Sequence, residues 1–201
     1  MEVSVLPTAF LMSAVLMTAG DVAITEIMYN PDGQTLGDDD YFEWVELTNL
    51  LNEPVQLVGM MLSDGNNQLF LDGFELPSLG RVVVAADAAS FRSAYGSSIP
   101  IVSWDGMWTK LANSGDTLVL YSASGGVVDE VAYSESWGVA AGDTTRSDAD
   151  GHGSSLEKIS LFGVNDAGNW APSIDYACPV PDPDTGDDKC WGTPGAVNSL
   201  E

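Results

Sequence analysis

The stretch from Asp21 to Asn49 constrains the fold most, because it consists of two short strands joined by an acidic turn. Residues 22–29, VAITEIMY, are rich in β-branched side chains and stop at the turn cluster NPDG. In FEWVELTN, which ends at Asn49, the residues alternate as in a strand with two different faces. Similar short strands and turn clusters follow about every 8–12 residues, which is typical of a β-sandwich or barrel.

The clearest hairpin spans residues 115–133, GDTLVLYSASGGVVDEVAY, where two alternating strands flank a turn at residues 124–126. The best helix candidate is residues 87–95, with Asp87 placed to cap the first turn and Gly96 to end the last. No long helix is indicated, and no repeat at a fixed period points to a propeller or solenoid. The sequence therefore predicts an all-β fold, an antiparallel sandwich.

The chain carries 30 acidic and 6 basic residues, and this imbalance argues against several classes of partner. Nucleic acids and anionic lipids attract surfaces rich in Lys and Arg, so they would be repelled by a formal charge of -24. We therefore expect no nucleic-acid binding. At most one carboxylate in five can pair with a basic residue. The others either form a solvated surface or gather around Ca²⁺, which prefers oxygen ligands.

Three acidic loops are candidates for such a calcium site. The first contains Asp32 and the aspartates of residues 38–40. The second, DADG at residues 148–151, places alternate aspartates before a glycine that lets the chain turn around an ion. The third lies at residues 182–188, and in each loop a hydrated acidic turn is the alternative. The predicted metal ligands are Asp38, Asp40, Asp148 and Asp150.

Two features of the chain indicate an extracytoplasmic protein. Residues 1–20 contain an apolar run that resembles the core of a secretory signal, although no Lys or Arg precedes it. The alternatives are a true start further upstream or a structural strand or helix. Cys178 and Cys190 bracket a Pro-rich polar loop that packing alone would hold poorly, so we expect a disulfide between them. We expect secretion, and no membrane span in the mature domain.

Catalytic motifs are scarce in this sequence. The single histidine, His152, lies in a Gly-rich loop without a G-x-S-x-G serine or a second histidine for zinc. We therefore predict that the protein is not an enzyme. A metal-dependent hydrolase that uses paired carboxylates is the alternative, because two positioned acids suffice for that chemistry. For Glu26, Glu43 and Glu46 we expect solvent-facing positions or pairing with the few basic residues, since without a bulge the three cannot converge.

Several motifs resemble those of the lamin tail domain in the same order along the chain. They are EIMYNP at 26–31, EWVEL at 43–47, GMMLSDG at 59–65, ANSGDTL at 112–118, GSSLE at 153–157, NW at 169–170 and GTPGAVN at 192–198. The resemblance implies an immunoglobulin-like sandwich over residues 21–198, used as a non-catalytic module. The loop at 178–190 departs from the pattern as an insertion.

Together these observations predict an extracellular module for interaction or structural display, stabilised by calcium where the acidic loops bind it. Its partner would be a protein or another extracellular surface. A concave pocket with convergent acids would favour the hydrolase, whereas acids scattered on the loops of a convex sandwich would favour the module.

Overall fold

The computed structural model describes residues 20–71, 73–103, 110–139, 146–175, 177 and 190–201. The strands are β1 (Val22–Met28), β2 (Trp44–Asn49), β3 (Val55–Gln56), β4 (Met61–Ser63), β5 (Gln68–Phe70), β6 (Glu75–Leu76), β7 (Arg81–Ala85), β8 (Ile101–Ser103), β9 (Gly115–Tyr121), β10 (Val127–Ser134), β11 (Leu156–Lys158) and β12 (Trp170–Pro172). The helices are α1 (Asp39–Phe42) and α2 (Ala88–Tyr95).

Two sheets form a sandwich. A six-stranded sheet has the order β12-β11-β1-β2-β7-β8 and is antiparallel except for the β7–β8 pair, and a four-stranded sheet has the order β10-β9-β4-β5. A small pair, β3 with β6, completes the strands of the described residues. This arrangement confirms the predicted all-β, immunoglobulin-like antiparallel sandwich.

One face of the six-stranded sheet packs against the four-stranded sheet, and we call it the dry face. It is built from the apolar residues that alternate along β1, β2, β7 and β11. Leu47 and Val84 of this face join a single buried cluster with Leu62, Leu118 and Leu120 of the opposite sheet. Non-directional burial of apolar surface holds the two sheets together here.

The opposite face of the six-stranded sheet is covered by α2 and by residues 190–201, which we call the C-terminal strap. Asp87 caps α2 by accepting a hydrogen bond from the Ser90 backbone N at 2.7 Å, and the helix ends at Gly96, as the sequence predicts. Phe91 and Tyr95 pack edge-on against Trp44, with ring centroids 5.9 and 5.6 Å away. This apolar contact closes only one end of the face.

Strand β1 contains an irregularity that decides which side chains reach the strap face. The antiparallel pairing of β1 with β2 shifts register between Ile24 and Glu26. The bulge keeps both Ile24 and Ile27 in the core of the dry face, although they are three positions apart and would lie on opposite faces of a regular strand. It therefore turns Glu26 toward the strap.

The structure leaves two sequence expectations without a description. Residues 1–19 and Cys178 lie outside the described part of the chain, so the leader and the Cys178–Cys190 bond stay predictions. Among the described residues, no helix is long and apolar enough to cross a membrane.

Candidate functional site

Three buried glutamates lie abreast on the strap face of the six-stranded sheet. Glu26 in β1 is the register partner of Glu46 in β2 and also of Glu157 in β11. All three side chains are fully buried. The solvent-facing positions expected for Glu26 and Glu46 were therefore wrong, because the bulge in β1 and the strap were not visible in the local pattern. The alternative expectation, pairing with a basic residue, is met by Glu46, which pairs with Arg81. We call these residues the glutamate row.

The C-terminal strap supplies hydrogen-bond donors to each member of the row. The Thr193 backbone N donates to Glu26 Oε1 at 2.9 Å, and the Gly195 backbone N donates to Glu46 Oε2 at 2.7 Å. Ser199 donates to Glu157 Oε2 from its backbone N at 2.9 Å and from its hydroxyl at 2.6 Å. The strap is thus held to the sheet mainly by bonds to carboxylates.

The sheet side supplies further donors and, among the described residues, one cation that pairs with the row. The Ser155 hydroxyl donates to Glu26 Oε1 at 2.5 Å, and the Thr25 hydroxyl donates to Glu46 Oε1 at 2.7 Å. Arg81 in β7 places its Nε 3.2 Å from Glu46 Oε1. One guanidinium cannot neutralise three buried carboxylates, so ionisation of the whole row would be costly.

The pKa values of Glu26 and Glu46 shift in the direction that this burial requires. Desolvation, followed by the nearby charges of Glu46 and Glu157, raises the pKa of Glu26 well above its usual value. Desolvation also raises the pKa of Glu46 to about 7, against the opposing hydrogen bonds and the charge of Arg81. Carboxyls of this kind bind protons near neutral pH.

The contacts of Thr193 independently indicate where a proton lies. Its hydroxyl oxygen is 2.8 Å from Glu157 Oε1 and 3.3 Å from Glu26 Oε2, yet a hydroxyl has one proton to donate. A protonated Glu26 would donate to Thr193, which would donate in turn to Glu157. All three groups are then satisfied, so the geometry favours a neutral Glu26.

Glu43 does not join the row, although it is also buried. It follows α1, and its Oε2 accepts a hydrogen bond from the Leu111 backbone N at 3.0 Å. Of the two positions expected for Glu43, the solvent-facing one was therefore wrong as well. Glu43 fixes the segment that enters β9 rather than contributing to a shared site.

A cleft of about 580 Å³ opens beside the row. Four separate segments line it, and their polar or aromatic residues are Asp32, Gln34, Asp148, His152, Ser154, Ser173 and Trp191. Asp32 and Asp148 belong to two acidic loops that the sequence treats as independent calcium candidates. The fold brings both loops to one wall, which local sequence patterns could not reveal.

The chain was then compared with known proteins. The family model of the lamin tail domain matches residues 16–135, more than half of the chain. The chain belongs to the lamin tail domain family. Lamin tail domains are non-enzymatic, immunoglobulin-like modules. No curated protein matches this chain.

The matched region of this lamin tail domain does not contain the whole site. Strands β11 and β12, with Glu157, and the C-terminal strap lie beyond residue 135 but belong to the same sheet and its cover. The motifs that carried the resemblance meet here, since Glu26, Glu46, Glu157 and the strap residues all come from them. Their shared location gives those motifs a physical role in closing the fold.

The first pair of predicted metal ligands lies at α1 and serves protein contacts. Asp38 accepts a hydrogen bond from the Asp40 backbone N at 3.2 Å and so caps the helix. Asp40 Oδ1 lies 2.5 Å from Nζ of Lys110. These contacts account for both carboxylates without a metal.

The two residues of the second predicted pair, Asp148 and Asp150, have different surroundings. Asp150 accepts from Asn30 Nδ2 at 2.6 Å and faces Arg146 Nε at 3.5 Å, whereas Asp148 is exposed and pairs with no described residue. Where the structure describes the chain, no three His, Cys, Asp or Glu residues are grouped to hold a metal. Calcium therefore stays an expectation.

His152 lies on the rim of the cleft and is exposed. None of the hydrogen bonds among described residues joins it to a serine, threonine or carboxylate, so no nucleophile–base pair is formed there. The third acidic loop, at 182–188, is outside the described residues.

Proposed function

We propose that this lamin tail domain is a non-catalytic interaction module of an exported protein. The observation that carries the proposal is the sealing of the glutamate row. The three carboxyls that converge in the fold are fully buried, and their oxygens accept hydrogen bonds from the strap and the sheet. They have the properties of a structural closure rather than of a substrate site.

The hydrolase alternative requires the opposite arrangement. Two carboxylates that perform hydrolysis must both reach the scissile bond, one as an acid and the other as a base or nucleophile. In this protein a substrate could reach Glu26 and Glu46 only after the strap had been displaced. The cleft offers Asp32 and Asp148, but no described group positions a water or nucleophile between them.

The test of this proposal is an activity screen on the purified chain. Chromogenic glycosides, esters and phosphodiesters would be incubated with the protein in Ca²⁺, Mg²⁺ and chelator. We expect no turnover above that of a heat-denatured sample. Turnover that is lost in both Glu26→Gln and Glu46→Gln, but kept in Glu53→Gln on the exposed surface, would establish the hydrolase instead.

The export part of the proposal rests on the apolar leader and on the two cysteines. Intact mass measured before and after reduction should differ by two hydrogens if Cys178 and Cys190 are joined. Complete labelling of both thiols in the unreduced, denatured protein would exclude the bond. Cys190 is buried beneath α2, so its replacement is not a neutral control.

Calcium binding remains part of the proposal for the exposed acids. A cation that binds only the folded state raises the melting temperature by mass action. Ca²⁺ should then raise it more than Mg²⁺ or NaCl at matched ionic strength, and Asp148→Asn should reduce the difference more than Asp40→Asn, because Asp40 already pairs with Lys110. Equal shifts of the melting temperature in all three salts would show that the acids form only a solvated surface.

A further inference from the structure

The cleft beside the glutamate row is preformed, because hydrogen bonds tie three of its four lining segments together. The Gly151 backbone N donates to the Asn30 carbonyl at 3.0 Å, which joins the second acidic loop to the first. The Trp191 backbone N donates to the Gly153 carbonyl at 2.8 Å, which fixes the strap against the same loop. A ligand would therefore meet walls that are already in place.

The charged side chains known to line the cleft are acidic. Asp32 and Asp148 are its carboxylates, and among the described residues no Lys or Arg lines it. Asp32 is held in place through Thr35, whose hydroxyl donates to Oδ2 at 2.7 Å. Asp148 is exposed and has no ion-pair partner among the residues that the structure describes. Its charge is therefore available to a ligand.

An aromatic wall completes the site. Trp191 lines the cleft and is only partly buried. The face of an indole attracts cations through its quadrupole, most strongly when water is excluded. Buried Ser154 forms part of the lining, and its hydroxyl donates to the Ser173 carbonyl at 3.3 Å. Carboxylates beside an indole suit a guanidinium or an ammonium group.

We propose that this cleft binds a cationic side chain, arginine or lysine, presented by a basic segment of a partner protein. The proposal rests on the interaction function above and names the chemistry of the ligand. The volume of about 580 Å³ is within the range of small-ligand sites and exceeds what one side chain needs. The formal charge of -24 steers basic polypeptides toward the domain.

The experiment is a two-dimensional NMR titration of the whole chain with three blocked pentapeptides, in a chelator so that no divalent cation occupies Asp148. Their central residue is arginine, lysine or the neutral isostere citrulline, between glycines. We expect the indole signal of Trp191, identified from Trp191→Phe, and the amides of residues 148–154 to shift with arginine and lysine but not with citrulline.

Two variants decide whether the cleft carries the binding. Asp148→Asn should weaken the affinity for the arginine peptide by about three- to tenfold. Asp166→Asn, an acid of the β11–β12 connection outside the cleft lining, should leave the affinity unchanged. Equal shifts with the citrulline peptide, or an affinity that Asp148→Asn does not alter, would overturn the proposal. Free argininamide that binds as tightly as the peptide would overturn the assignment to a partner protein.

The same titration separates this proposal from the function on which it rests. If no signal shifts with any peptide, the proposal of a cationic ligand is excluded, and the proposal of a non-catalytic module is unaffected. Cleavage of a peptide during the titration, detected by mass spectrometry, would contradict the module itself.

Discussion

The two faces of the six-stranded sheet are both buried, but by different physical means. On the dry face, apolar side chains such as Leu47 and Val84 pack against the opposite sheet. On the strap face, Glu26, Glu46 and Glu157 are equally inaccessible and accept hydrogen bonds from a chain segment that arrives last in the sequence. Apolar burial tolerates small shifts, whereas each buried carboxyl needs a donor at a set position.

This difference predicts that mutations on the two faces destabilise the protein in different ways. Loss of an apolar side chain leaves a cavity whose cost does not depend on pH. Loss of a donor to the row leaves a desolvated carboxyl without its partner, and the cost depends on whether that carboxyl is ionised. The stability that the strap face contributes to the lamin tail domain should therefore depend on pH and should be lost as a unit.

Removal of the strap should have the largest effect. Deletion of residues 191–201 removes the donors of Thr193, Gly195 and Ser199 at once and opens three carboxyls to water from one side. We expect loss of the cooperative thermal transition at neutral pH, measured by circular dichroism. A hydrogen bond contributes about 0.5–1.5 kcal/mol to a neutral carboxyl and about 1.5–3 kcal/mol to an ionised one, so the sum is a large part of the stability of a domain.

A shorter deletion serves as the control for the strap. Removal of residues 200–201 costs the contact between Arg81 and Glu201, whose atoms lie 2.7 Å apart near the surface. Such pairs contribute about 0–1 kcal/mol, so this variant should fold. If the longer deletion melts like the shorter one, the strap does not close the fold.

On the dry face, Leu47→Ala should destabilise by about 2–5 kcal/mol, because a fully buried leucine leaves a cavity between the sheets. Chemical denaturation at pH 5 and at pH 8 should give the same difference from the parent protein, since no titrating group lines the cavity. A difference that changes with pH would mean that the two faces are coupled through β2.

The sequence predicted the dry face well and the strap face poorly. Alternation along FEWVELTN, the 115–133 hairpin and the capped helix at 88–95 are local patterns, and local hydrogen bonding and packing produce them. Glu46 obeys the alternation, so it reads as the wet side of a half-exposed sheet. Glu26 follows Ile24 by two residues, so alternation alone would place it on the dry face. Their burial depends on the bulge at Thr25 and on a strap far away in sequence, which no local period encodes.

The sequence did not predict the cleft, for the same reason. Asp32 and Asp148 are distant along the chain, and only the pairing of β1 with β11 brings their loops together. The motifs did contain the information that local patterns lack. Residues 192–198 of the strap and the strands that carry the glutamate row all lie in motifs that resemble those of the lamin tail domain. If it were known that these motifs contact one another in the fold, the site could have been located from the sequence.

The pH dependence of stability should be the next largest effect. The row faces Arg81 of β7, Tyr95 of α2 and the donors of the strap. Because the folded-state pKa of Glu46 is raised from 4.5 to about 7, its stabilising contribution is complete below pH 4.5 and is lost as the pH rises through 7. A shift of this size corresponds to about 3 kcal/mol at the limit. Glu26 acts in the same direction.

The Glu26→Gln variant isolates this effect from general surface repulsion. A glutamine amide can donate to Thr193 in the way that a protonated Glu26 does, and its oxygen can accept from Ser155. The variant should match the parent near pH 5 and exceed it in stability near pH 8, whereas Glu53→Gln on the surface should follow the parent throughout. A Glu26→Gln variant less stable than the parent at both pH values would show that Glu26 functions as a carboxylate.

The smallest effect tests how closely the strap lies on the row. A Cβ added at Gly192 would come within 2.8 Å of Glu26 Oε1 and 3.0 Å of Ser155 Oγ, so Gly192→Ala must lift the strap or move Glu26. We expect a loss of about 1–3 kcal/mol, as for overpacked interiors. At Gly126 a Cβ would meet only Ser122 Oγ at 3.4 Å, so Gly126→Ala should be neutral or slightly stabilising. Because a lifted strap admits water to the carboxyls, Gly192→Ala should also flatten the pH dependence, whereas Leu47→Ala should not. A neutral Gly192→Ala would mean that the strap can shift without cost, and its cover would then be too loose to sustain the desolvation that raises the pKa values of Glu26 and Glu46.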